Sequence, residues 1–139
     1  MTAEPHMTLK NVPLFRDLSD RQLKRLHDIS VHKRFERGTI LFRDGEPAEG
    51  FHLLRTGQVK VYKLSPDGRE QILKIFRTGE TVGEVVMFAG DNYPAFCEAL
   101  QDTETLFFLR IPFLAILNAD PELATNLVTV LSRRLLHFT

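Results

Sequence analysis

The chain has 139 residues, enough for one domain with a buried core. Hydrophobic residues make up 43% and charged residues 26%, which excludes a disordered chain, and 18 basic residues balance 18 acidic ones, leaving no overall basic excess for a nucleic-acid backbone. A single cysteine, Cys97, excludes an internal disulfide framework, and no apolar run approaches the roughly 18 residues that span a membrane. In chain order, Asn11–Phe15 is a short apolar lead-in. Ser19 and Asp20 offer N-caps for a helix from about Arg21 to Ile29, with Leu23 and Leu26 as its apolar stripe. From Val31 to Arg110 short apolar runs alternate with turn signals at Glu36–Gly38, Arg43–Pro47, Thr56–Gly57, Ser65–Gly68, Arg77–Glu80 and Ala89–Asn92. Many short strands at this spacing predict a sandwich or barrel. Pro112 opens a short helix to about Asn118, and Asp120 caps another that begins at Pro121. Leu123, Leu127, Val130, Leu131, Leu135 and Phe138 follow at helical spacing, a stripe that needs either the barrel or a second copy to cover it.

This order resembles the effector domain of the Crp/Fnr transcription regulators, which is built on the cyclic-nucleotide-binding barrel. The resemblance rests on Leu14–Leu18, Phe35–Phe42, Gly57–Tyr62, Gly68–Leu73, Gly79–Glu84 and Arg133–Leu135, and covers essentially the whole chain. It implies a mainly β fold with flanking helices: a double-stranded jelly roll with an N-terminal helix and a long C-terminal dimerisation helix. The expected organisation is a single sensor domain, with a helical lead-in at 10–30, the barrel at 31–110 and C-terminal helices at 112–139. The family's helix-turn-helix is absent from these residues, so DNA is expected only through a C-terminal domain missing here. The implied partners are a second copy, through Leu127, Val130, Leu131, Leu135 and Phe138, and a small-molecule effector. No membrane association and a cytoplasmic location are expected.

Cyclic-nucleotide members of the family hold the phosphate with a Gly-Glu pair at a helix start, followed some ten residues later by an Arg-Ser or Arg-Thr pair. Gly83 and Glu84, with Val85 after them, match the first half. Tyr93, Pro94 and Ala95 stand where the second half is expected, and no arginine lies between Arg77 and Arg110. Removing one partner of a buried charge pair costs about 3–5 kcal/mol, roughly a hundredfold or more in affinity. The candidate effector pocket is therefore Gly83, Glu84, Val85, Tyr93, Pro94 and Ala95, with Arg134 and Phe138 from the last helix, and cyclic AMP is not its expected ligand. The alternative is a genuine cyclic-nucleotide receptor with a degenerate cassette.

Met87, Phe88 and Asn92–Ala95 resemble the branch of the family that answers nitric oxide and nitrosative stress, some of whose members bind heme. On that resemblance heme would lie between the barrel and the long helix, with His137 as the first candidate axial ligand and Met87 the second, and Val86, Phe88, Phe96, Leu131 and Phe138 as apolar lining. The iron–sulfur branch needs several cysteines and is excluded. The five histidines, His6, His27, His32, His52 and His137, show neither His-x-His spacing nor an i, i+4 pair, so no metal site is expected. Without His-x-His a metal-dependent jelly-roll enzyme is disfavoured, and no nucleophile elbow or phosphate-binding glycine loop appears. The chain is expected not to be an enzyme.

Overall fold

A computed structural model describes residues 9–137 as two compact units. One unit, Val31–Arg110, holds the strands and one short helix; the other joins residues 9–30 to residues 111–137.

The strands are β1 (Ser30–Phe35), β2 (Ile40–Phe42), β3 (Gly50–Thr56), β4 (Gln58–Leu64), β5 (Glu70–Arg77), β6 (Thr81–Val82), β7 (Phe96–Ala99) and β8 (Thr103–Leu109). They form two four-stranded sheets, ordered β1-β8-β3-β6 and β2-β7-β4-β5. This is the jelly roll expected from the sequence. The alternation of side chains along a strand decides what each sheet buries. In the second sheet Cys97 lies opposite Val61 and Phe42, and these side chains join Val59 and Leu54 in the apolar interior. Lys60, Tyr62, Phe96 and Glu98 are the intervening residues. Tyr62 stacks on Phe96 and donates its hydroxyl to Glu98, while Lys60 pairs with Glu70 at 2.9 Å. Phe96, an expected lining residue, therefore sits on the other face of β7 from the interior residue Cys97.

In the first sheet Phe51 and Phe108 stack with ring centres 5.0 Å apart, and Phe88 stands 6.5 Å from Phe51. Gly50 opens β3 because nothing larger fits: a Cβ there would lie 2.4 Å from the Phe108 carbonyl oxygen. A six-residue helix, α2 (Glu84–Ala89), follows β6, and the backbone carbonyl of Met87 accepts from Arg110 Nε at 3.0 Å.

In the helical unit a 3-10 turn at Pro13–Phe15 precedes α1 (Asp20–Ile29). Ser19 caps α1 reciprocally with Gln22. Then come α3 (Arg110–Ala119), which starts two residues before the expected proline, and α4 (Pro121–Leu136). Asp120 accepts from the Leu123 amide and from Gln22 Nε2, so one carboxylate caps α4 and ties it to α1. These hydrogen bonds, the Gln22 one first, hold Asp120 below the usual carboxylate range. Leu123 and Leu127 of α4 are buried, and α4 packs against the Pro13–Phe15 turn.

His52 is buried inside the barrel unit, its Nδ1 2.9 Å from Thr105 Oγ1 and its ring between Phe35 and Phe107. Burial, aided by the charge of Lys33, pushes its pKa down to about 3. Above the ordinary value of about 6.5 the ring is neutral in both states. Between that value and 3 the unfolded chain takes up a proton that the folded one refuses, so stability falls as pH falls, by up to about 1.4 kcal/mol per pH unit. Urea unfolding of the protein and of His52→Gln at a series of pH values from neutral to mildly acid should show a steeper decline for the parent. Parallel declines would contradict this burial.

Candidate functional site

The barrel unit contains a cavity of about 210 Å³. Phe42, Val61, Phe76 and Val82 of the strands form its walls with Val86 of α2. Leu73 and Val85, 50% and 63% exposed, stand at its mouth. Gly83, Glu84, Tyr93, Pro94 and Ala95 complete the lining, so the two halves of the expected cassette do meet on one cavity.

Gly83 is the N-cap of α2 with φ +92°, a left-handed conformation that glycine adopts without strain. A Cβ at Gly83 would lie 3.3 Å from the Tyr93 ring. Glu84 is buried and opens α2, beside the cavity. Tyr93 is held twice. Its ring lies on Phe42 with centres 3.9 Å apart and planes 11° from parallel, and its hydroxyl donates to the Gly50 carbonyl at 2.6 Å. Burial pushes its pKa up to about 12, so the phenol is neutral at physiological pH. The backbone on either side is stitched down as well: the Tyr93 amide donates to Glu46, its carbonyl accepts from Gly45, and Ala48 donates to Asp91.

Among the described residues no lysine, arginine or histidine lines the cavity. Sequence reasoning offered Tyr93 and Pro94 only as shapers of the pocket. The stack on Phe42 depends on a register between β2 and the segment before β7 that no local pattern displays.

The other expected site residues lie elsewhere. Met87 is fully buried and is not on the cavity wall, so its thioether is not presented to a ligand there. Phe88 packs toward Phe51 instead. Arg134 and Leu131 are half-buried on α4, and His137 is exposed at its C-cap; none belongs to the lining. Phe138 and His6 fall outside the described residues. Leu127, expected at a dimer surface, is only 2% exposed and belongs to the core of its own unit. The exposed apolar stripe of α4 runs instead through Val128 and Leu135, with Leu136 beside it and the half-buried Leu131 between. Cys97 is fully buried, and burial pushes its thiol up to about 12, which makes it an inert core residue. Among the described residues no cluster of histidine, cysteine, aspartate and glutamate is placed to hold a metal, and no helix is long and apolar enough to cross a membrane.

Comparison with known proteins places this geometry in context. Residues 32–120 match the family model of the cyclic nucleotide-binding domain. The chain is 28% identical over 127 residues to the cyclic AMP receptor protein of Thermus thermophilus, an alignment that covers 91% of this chain and 59% of that protein. Among solved structures it is similar to the sensor domain of the transcriptional regulator DNR from Pseudomonas aeruginosa, at 36% identity and a TM-score of 0.82, covering 94% of this chain and 88% of that one. It is also similar to the N-terminal domain of a transcriptional regulator from Streptomyces coelicolor A3(2), at 31% identity and a TM-score of 0.83, covering 94% and 95%. The chain thus spans less than two thirds of the Thermus relative and most of the length of the two isolated domains.

Proposed function

This chain belongs to the cyclic nucleotide-binding domain family, among the Crp/Fnr-type regulators, and on that premise we propose that it is the effector-sensing part of a longer transcription regulator whose effector is not cyclic AMP. The observation that carries the reading is Tyr93. Where cyclic-nucleotide members place a cation for the phosphate, this chain holds a neutral phenol whose hydroxyl is already bound to Gly50. A phosphate entering the cavity would lose its hydration and gain no counter-charge from the lining. In this reading residues 1–139 act as one sensor domain, and DNA is contacted by a helix-turn-helix beyond them.

The barrel cavity by itself gives heme little support. Iron requires an axial donor, and among the described residues the lining offers neither histidine nor methionine: Met87 is enclosed in the core and His137 lies on the helical unit. The proposed effector is therefore not a gas on heme iron held in this cavity. One observation favours the alternative of a degenerate nucleotide receptor, namely that Gly83 and Glu84 stand at the cavity as the first half of the cassette requires. Calorimetry separates the two. Titration with cyclic AMP should show no saturable heat at submillimolar nucleotide. A micromolar or tighter constant would overturn the proposal in favour of the alternative.

The regulator is further proposed to be a homodimer through α4. Val128, Leu131 and Leu135 recur at i, i+3, i+7, the spacing of a helix-pairing seam. Val128 and Leu135 are 62% and 69% exposed. Sedimentation equilibrium should find a dimer that Leu135→Asp shifts toward monomer. A monomer at every concentration would contradict the pairing.

A further inference from the structure

The cavity specifies what it accepts as well as what it refuses. At about 210 Å³ it exceeds the ~150 Å³ apolar cavity known to admit benzene, and it falls short of the roughly 300 Å³ at which drug-sized ligand sites begin. A single six-membered ring with a small substituent matches that space. The walls are aliphatic and aromatic, and Tyr93 has its hydroxyl committed to Gly50. Among the described lining residues the one acid, Glu84, is buried. A carboxylate has about four acceptor sites, so it can take a donor from a ligand alongside any partner in the protein.

We infer that the cavity binds a small uncharged single-ring aromatic molecule, or a branched hydrocarbon of similar size, bearing at most one hydrogen-bond donor, which Glu84 accepts. This rests on the reading of the chain as a sensor not tuned to cyclic nucleotides. Such a ligand touches β5 through Phe76 and Leu73, α2 through Val86, and the segment before β7 through Ala95. It joins these three elements across the cavity. Because Leu73 and Val85 are exposed at the mouth, ligand enters without opening the core, and its binding covers exposed apolar surface.

Methyl-resolved NMR of the whole chain tests this with ring-matched probes: toluene, phenol and benzoate, with cyclic AMP alongside. Toluene and phenol should shift the methyls of Leu73, Val82 and Val86 saturably. Phenol should bind more tightly than toluene, and Glu84→Gln should reduce that preference. Benzoate, with the same ring and a negative charge, should bind at least about tenfold more weakly than phenol. Ala95→Leu fills the cavity and should abolish toluene binding with far-UV circular dichroism unchanged. Should that variant misfold, Val86→Ala serves instead, since the enlarged cavity should accept naphthalene better than the parent does. Benzoate binding as tightly as phenol, or no ring giving a saturable shift while cyclic AMP is also silent, would overturn the inference alone. Cyclic AMP saturating the same methyls would overturn both the inference and the function proposed above.

Discussion

The phenol of Tyr93, flat on Phe42 and hydrogen-bonded to the Gly50 carbonyl, is the point at which the cavity end of the barrel is assembled. Three otherwise separate segments converge on it. The end of β2 supplies the stacking ring, and the start of β3 supplies the acceptor. The start of α2 approaches closely enough that only glycine fits at position 83 without a neighbour giving way. The main chain reinforces the arrangement, because residues 45–48 and 91–93 exchange backbone hydrogen bonds along the same seam. A buried hydroxyl without a partner costs about 1–3 kcal/mol on protein scales. The phenol is tolerable here only because the Gly50 carbonyl accepts it.

The same contact explains the character of the cavity. In a barrel built for a cyclic phosphate, a guanidinium balances the ligand's charge, and the ligand in turn satisfies the guanidinium. Tyr93 satisfies itself within the protein and asks nothing of a ligand. Among the described residues the cavity wall carries no cation, and its aliphatic and aromatic side chains favour apolar matter.

Much of the fold was legible in the sequence because its signals are local. Glycine turns mark the breaks between strands, Ser19 marks the start of α1, and Asp120 with Pro121 marks the start of α4. Gly83 and Glu84 were legible only through the resemblance to the family's phosphate cassette. The remainder depended on contacts between distant segments. The partner of Tyr93 lies 43 residues away in the chain. The burial of His52 needs Thr105 and Phe107, and the outward face of Phe96 follows from its register with Tyr62. On α4 helical spacing alone could not decide which side of the stripe faces inward. The Pro13–Phe15 turn packs against this helix, Leu123 and Leu127 lie in the core of the unit, and Val128 and Leu135 are left outside.

The state of the Tyr93 hydroxyl is the quantity on which the account turns. Carbon-13 NMR of ring-labelled tyrosine, with Tyr62→Phe used to assign the two rings, reads that state directly as pH is raised from about 9 to about 11. If Tyr93 is buried and bound to Gly50, its Cζ resonance stays at the neutral-phenol position throughout that range while the barrel remains folded. A midpoint near the ordinary value of about 10 would mean a solvated phenol. The phosphate seat would then be open, and the account contradicted.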